Sequence, residues 1–198
     1  MVFRNDVGFS PKGWKPGETY TNLGIADSDD GLHWTPRPTP WELPAQVVAS
    51  DPDFIRFYDP RLTVIGDRCY LCFAVDTKHG LRGGIAVTDD FDNFEILSLS
   101  IPDDRNMVLF PEKIDGMFVR LERPMPEYSR GFQEKFDIWM SKSPDCKFWG
   151  ESQLVIGLEK IPYCNAKIGP AAPPIKTEKG WLATLHATYK DPNKDLYG

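Results

Sequence analysis

The sequence predicts an all-β protein, and three observations support this class. Short apolar runs recur along the chain, turn residues separate them, and long amphipathic helix patterns are nearly absent. Eighteen prolines and sixteen glycines in 198 residues supply the turns, and aromatic residues, which favour strands, make up 13% of the chain. The predicted strands are 23–28, 62–66, 69–75, 83–88, 107–110, 117–122, 136–141, 153–157 and 181–187.

Length and charge limit the classes of function. The length favours a single domain over residues 1–198. A net charge of −6 and a pI near 5.1 argue against nucleic acid as a partner. No apolar run reaches the roughly 18 residues of a membrane span, and the N-terminus lacks the pattern of a signal peptide. We therefore expect a cytoplasmic protein that binds neither nucleic acid nor a membrane.

The four cysteines do not form a recognisable metal site. Cys69 and Cys72 make a CxxC pair, but it lies in an apolar strand-like run, where residues three apart point to opposite faces. No second CxxC and no paired histidines complete a ligand set. We expect buried, reduced thiols and no bound metal.

A seven-residue turn pattern occurs three times, each time just after an apolar run. Segments 28–34, 88–94 and 143–149 each carry Ser or Thr first, Asp third and an aromatic residue seventh. The hydroxyl and carboxylate oxygens can accept hydrogen bonds from backbone N–H groups of the turn, while the aromatic ring packs between sheets. The copies begin 60 and 55 residues apart, a spacing typical of β-propeller blades. Three unrelated turns remain the alternative.

The number of copies predicts an incomplete propeller. Propellers generally close with about four to eight blades, and an unclosed one leaves edge strands exposed. The last residues, KDPNKDLYG, end without a closing strand. We therefore expect the chain to be a fragment of a longer protein, with an uncapped edge that is compatible with a homo-oligomer.

A hairpin is predicted around Asp115 and Gly116, because an Asp-Gly turn between two apolar runs is a strong hairpin signal. The second run ends at Arg123, directly before a proline. A guanidinium has five donors in a planar fork, which suits phosphate or carboxylate. An ordinary surface arginine that closes a hairpin is the alternative.

Four side chains capable of chemistry lie at or near predicted strand ends: Asp76, Arg123, Lys167 and His186. One acid with three basic groups suits cleavage of a bond while an anion is held. Each also has an ordinary explanation. The aspartate could cap a turn, the lysine could be solvated, and the histidine could be satisfied within the core.

Several segments together resemble one family. They are FYDPRLT (57–63), the strand that ends in Asp76, 109–124, 167–187, and the turns GLHW and SPDCKFWG. In these segments the chain is similar to the inverting β-mannoside phosphorylases of glycoside hydrolase family 130, which fold as a five-bladed β-propeller.

The resemblance implies a role for each matching residue. Asp76 matches the family's single catalytic acid. The implied phosphate-binding residues are Arg123, Lys167 and His186. The implied substrate-binding residues are Arg4, at the sugar subsite, and Asp59 and Arg61, which line the cleft. The resemblance also implies that about three of the blades are present, and that the opening strand and the last blades are missing.

The reaction that the resemblance implies is phosphorolysis. Phosphate attacks a non-reducing-end β-mannoside with inversion, and gives α-mannose 1-phosphate and a shortened sugar. Phosphate is already an anionic nucleophile, so it needs no second carboxylate as a base, unlike the water of inverting glycosidases. The acid acts through a sugar hydroxyl. No cofactor is implied, and phosphate is a co-substrate. A β-mannoside hydrolase of the same fold and a non-catalytic carbohydrate-binding propeller remain alternatives.

Overall fold

The computed structural model of the chain describes residues 1–8, 20–41, 53–126, 135–191 and 194–197. Its strands are β1 (Val2–Val7), β2 (Tyr20–Asp27), β3 (Thr35–Pro36), β4 (Phe54–Ile65), β5 (Arg68–Thr77), β6 (Gly80–Thr88), β7 (Glu95–Leu99), β8 (Asp104–Leu109), β9 (Phe118–Pro124), β10 (Ile138–Ser143), β11 (Gly150–Ile156), β12 (Lys167–Pro170), β13 (Ile175–Thr177), β14 (Gly180–Leu182), β15 (Leu185–Asp191) and β16 (Lys194–Tyr197).

The predicted all-β class is confirmed. Among the described residues the helical structure is a single 3-10 turn, Leu158–Lys160. No helix in this part of the chain is long and apolar enough to cross a membrane. Three of the four free cysteines are buried, as expected, while Cys164 is half-buried. Burial raises the pKa of the Cys72 thiol to about 12.

Consecutive antiparallel strands form a series of small sheets. Strands β4 to β7 make one four-stranded sheet and β8 to β11 make a second, each in chain order. A three-stranded sheet of β1 to β3 precedes them, and the sheet β12-β15-β16 follows. Strands β13 and β14 form a separate two-stranded pair.

Neighbouring sheets share hydrophobic cores, because apolar side chains alternate between the two faces of each strand. In β5, Leu71 and Phe73 pack in the core with β2, whereas Tyr70 and Cys72 pack in the core with β8. A third core joins β8 and β9 to β12 and β15. The sheets are therefore stacked face to face along the chain.

The repeated turn is the same structure in all three copies. In the second copy the Thr88 hydroxyl accepts from the N–H of Phe91 at 2.9 Å, and Asp90 Oδ1 accepts from the N–H of Asn93 at 2.8 Å. The equivalent oxygens in the other copies are those of Ser28 with Asp30 and Ser143 with Asp145. Shared geometry favours a true repeat over three unrelated turns.

One predicted strand is wrong and one hairpin is confirmed. The run 181–187 divides into β14 and β15, because β14 pairs with β13 while β15 pairs with β12. The hairpin at Asp115 and Gly116 forms as predicted, with φ of 51° and 79°. Two positive φ values in a two-residue turn match the twist of the flanking strands.

Candidate active site

Asp76 lies near the end of β5, and both its carboxylate oxygens are held by residues of β4. Arg56 Nε donates to Oδ2 at 2.5 Å, and the Tyr58 hydroxyl donates to Oδ1 at 2.7 Å. Arg56 is the cross-strand partner of Asp76. Residues two apart on a strand share a face, so Tyr58 lies on the same side of the sheet.

A β-bulge at Asp59 makes this arrangement possible. The pairing runs regularly from Ile65 opposite Arg68 to Arg61 opposite Cys72, and then shifts by one residue. Asp59 has a φ of 53°, in the left-handed region. Without the extra residue, Arg56 would face Thr77 and every side chain beyond the bulge would change faces. The DPR segment therefore aims two side chains at Asp76.

Tyr58 connects Asp76 to further arginines. Its side chain is almost completely buried, and its ring lies 4.8 Å from the Arg56 guanidinium carbon and 5.3 Å from that of Arg4. Burial, followed by the hydrogen bond to Asp76, raises the pKa of the Tyr58 hydroxyl to about 12. Arg105 lies beside the same hydroxyl and opposes that rise.

Arg123 is fully buried, so the surface-arginine alternative is wrong. It is 1% exposed, at the end of β9, and its Nη1 lies 3.3 Å from His186 Nε2. Asn106 Nδ2 lies 3.1 Å from the same imidazole nitrogen. Asn106 occupies a second β-bulge, in β8, with a φ of 58°. We call Arg105, Asn106, Arg123 and His186 the anion cluster.

The anion cluster has a positive electrostatic field. Burial, followed by the guanidiniums of Arg123, Arg61 and Arg105, lowers the pKa of His186 to about 4, although one carboxylate opposes the shift. His186 is therefore neutral at neutral pH, whereas sequence analysis counted it as the third basic group. A neutral imidazole can donate one hydrogen bond to a ligand while the positive charge comes from the arginines.

Gly169 leaves the space that this cluster occupies. It is the cross-strand partner of His186, in β12. A Cβ at this position would come within 2.7 Å of both Asn106 Nδ2 and His186 Nε2, closer than side chains tolerate. Lys167 is half-buried and lies two residues earlier in the same strand, so its side chain shares the face of the strand next to His186.

The remaining predicted residues lie around this centre. Arg4 pairs with Asp6 at 2.8 Å and with Asp59 at 3.3 Å. Arg61 donates to backbone carbonyls, with Nε 2.7 Å from the oxygen of Ala171. Arg61 thereby ties β4 to the segment that follows β12. Arg4 thus contacts Tyr58, while Asp59 and Arg61 lie near His186, with Arg61 directed at the backbone.

The matching family model is described as β-1,4-mannooligosaccharide phosphorylase, and it matches residues 16–197. The chain belongs to glycoside hydrolase family 130. It is 32% identical over 170 residues to a β-1,2-mannobiose phosphorylase of Listeria innocua, covering 85% of this chain and 46% of that protein. It is 34% identical over 175 residues to a β-1,4-mannooligosaccharide phosphorylase of Ruminococcus albus, covering 86% of this chain and 50% of that protein.

A solved structure of this family has the same fold. The β-1,2-mannobiose phosphorylase from Listeria innocua, in complex with β-1,2-mannobiose, superposes with a TM-score of 0.74 at 27% identity. The match covers 95% of this chain and 51% of that one. This family 130 chain spans about half the length of the curated relatives it matches.

Sequence reasoning missed four residues of the site: Arg56, Tyr58, Arg105 and Asn106. Arg105 and Asn106 directly precede the predicted strand 107–110, so a search of both ends of each strand would have found them. No local signal identifies Arg56 and Tyr58, because their direction depends on the bulge at Asp59.

Proposed function

We propose that this chain carries the acid-catalytic and phosphate-binding part of an inverting β-mannoside phosphorylase. The observation that carries the proposal is the anion cluster, whose Arg105 lies beside the Tyr58 hydroxyl that donates to Asp76. The buried guanidinium of Arg123 and the half-buried guanidiniums of Arg61 and Arg105 surround a neutral histidine, which favours binding of an anion. In this proposal Asp76 is the acid, and Arg123, Lys167 and His186 bind phosphate, together with Arg105 and Asn106.

The proposed reaction has one carboxylic acid and no base. Phosphate, held by the anion cluster, attacks the anomeric carbon of a non-reducing-end mannosyl unit. Asp76 supplies the proton that reaches the leaving oxygen through a sugar hydroxyl. The products are α-mannose 1-phosphate and a shortened sugar. No metal or organic cofactor takes part in these steps.

The wider setting is also proposed. Arg4, Asp59 and Arg61 line the sugar subsite, with Arg61 acting through the backbone that it holds. The stacked sheets are successive blades of a five-bladed β-propeller, of which about three are present. The protein acts in the cytoplasm on short β-mannosides, and a homo-oligomer is compatible with the exposed sheet edges.

The test is an assay of the purified protein on β-1,2- and β-1,4-mannobiose, with and without inorganic phosphate. We expect phosphate-dependent release of α-mannose 1-phosphate, which 31P and 1H NMR identify together with its anomeric form. Free mannose without phosphate would instead indicate the hydrolase, and binding without any product would indicate a carbohydrate-binding module.

Two variants test the assigned roles. Asp76→Asn removes the acid and should abolish turnover of mannobiose. Lys167→Ala should weaken phosphate use by roughly 10²-fold, because a preorganised charge acts strongly in a water-poor site. The matched control is Lys142→Ala, since Lys142 pairs with Glu151 away from the site and should leave turnover unchanged. Equal effects of the two lysine variants would contradict the assignment.

A further inference from the structure

The two side chains that hold Asp76 differ in what they can do chemically. A guanidinium only donates hydrogen bonds, whereas a tyrosine hydroxyl both donates and accepts. Arg56 meets Oδ2 and Tyr58 meets Oδ1, each within 2.7 Å. Oδ2 can therefore satisfy Arg56 only as an acceptor. Oδ1 can satisfy Tyr58 whether or not it carries a proton.

Because of this difference, only one of the two carboxyl oxygens of Asp76 is suited to carry the proton. A general acid must carry a proton before the step and be ionised after it. A proton on Oδ2 that points toward Arg56 would meet an N–H group, and two donors cannot form a hydrogen bond with each other. A proton on Oδ1 leaves the contact with Arg56 intact, because Oδ2 stays a carbonyl-like acceptor.

We propose that Arg56 and Tyr58 form a clamp that assigns the catalytic proton to Oδ1 of Asp76. Arg56 fixes Oδ2 and the plane of the carboxyl group. The Tyr58 hydroxyl donates to Oδ1 once the proton has left. Both are positioning residues, since they act through Asp76 and not on the substrate. This inference rests on the proposed function, with Asp76 as the acid.

The step is balanced in protons and electrons. The proton leaves Asp76 Oδ1 for a sugar hydroxyl, and the proton of that hydroxyl passes to the glycosidic oxygen. The glycosidic C–O bond breaks with its electron pair on the leaving oxygen, while a phosphate oxygen forms the new bond to carbon. The carboxylate that remains is held by Arg56 at Oδ2 and by Tyr58 at Oδ1.

The surroundings of Tyr58 make the clamp rigid and testable. The ring is buried and both the Arg4 and the Arg56 guanidinium pack on it, so the hydroxyl has little freedom to move away. Tyr58→Phe therefore removes one oxygen and leaves the ring in place. The matched control is Tyr70→Phe, which removes the hydroxyl of another buried tyrosine, in the core between the two four-stranded sheets.

The experiment compares two leaving groups. On mannobiose, Tyr58→Phe should lower kcat by about 10- to 100-fold, the effect of losing a hydrogen bond to a charged group. On 2,4-dinitrophenyl β-mannoside, which needs no protonation of its leaving group, the loss should be less than about threefold. Arg56→Lys should retain more activity than Arg56→Gln, because it keeps a charged donor.

Two outcomes would overturn the clamp: equal losses on both leaving groups, or a Tyr58→Phe variant as active as Tyr70→Phe. Absence of wild-type activity would reject the proposed function instead. In that case tyrosine 13Cζ NMR tests the contact between Tyr58 and Asp76. The signal that disappears in Tyr58→Phe is the signal of Tyr58. Asp76→Asn should shift that signal, and an unchanged signal would show that Tyr58 does not contact Asp76 in solution.

Discussion

The two faces of the β8–β9 hairpin bury charge in opposite ways. One face carries Arg105 and Arg123, which are cross-strand partners within the anion cluster. The other face carries Arg120 and Glu122, which form an ion pair at 2.5 Å with both side chains less than 10% exposed. The first face brings two guanidiniums together, whereas the second pairs a guanidinium with a carboxylate.

The compensated face contains its own partners for each charge. Arg120 Nε also donates to Ser141 at 3.0 Å, and its guanidinium lies 4.2 Å from the Trp149 ring. Burial, and then the charge of Glu122, raises the pKa of Asp104 to about 8, so this third group stays protonated at neutral pH. On this face the charges have partners within the protein, whereas we propose that the opposite face binds phosphate.

The largest expected effect is on the compensated face. Arg120→Met should lower the free energy of unfolding by about 3–5 kcal/mol, because Glu122 would be left buried without its cation. Chemical denaturation measures this loss. The double variant Arg120→Met with Glu122→Met should recover most of it, since it removes both charges together. A single variant as stable as the wild type would show that the pair is not buried in solution.

The next effect, on the cationic face, should fall mainly on phosphate. Arg123→Met keeps most of the side-chain volume and removes the guanidinium beside His186. We expect phosphate binding to weaken by about 10²-fold, with a smaller loss of stability than in Arg120→Met. Phosphate titration by calorimetry and denaturation of the same sample separate the two quantities. Unchanged phosphate affinity would contradict the proposal that the face with Arg105 and Arg123 binds phosphate.

A further effect on the compensated face concerns pH. The unfolded chain loses the Asp104 proton near pH 4, whereas the folded protein keeps it up to about pH 8. The folded state thus binds more protons between these values, so the free energy of unfolding should fall as pH rises from 4 to 8. Asp104→Asn should flatten that slope, which denaturation curves at several pH values measure. An unchanged slope would assign the pH dependence to other groups.

Much of the fold could be predicted from local pattern. The Asp115-Gly116 hairpin and the three repeated turns depend on residues within seven positions of each other, so their geometry was available from spacing. The break between β14 and β15 could not be predicted from local pattern, because it depends on which other strand each of them pairs with.

The candidate site also has features that the sequence predicts and features that need the structure. The sequence predicted Asp76, Arg123 and His186 as site residues, because they match a family motif and lie at strand ends. It could not show that His186 is neutral. Its pKa depends on burial and on guanidiniums that come from β4, β8 and β9.

By itself, the sequence determined the β class, the turns and the family, and it predicted which residues carry the chemistry. Only the tertiary structure decided which side chains face each other. One extra residue at Asp59 moves Arg56 and Tyr58 onto the face of Asp76, because side chains on a strand alternate with a period of two. Burial of Arg123 against His186 likewise requires β9 and β15, 63 residues apart, to meet.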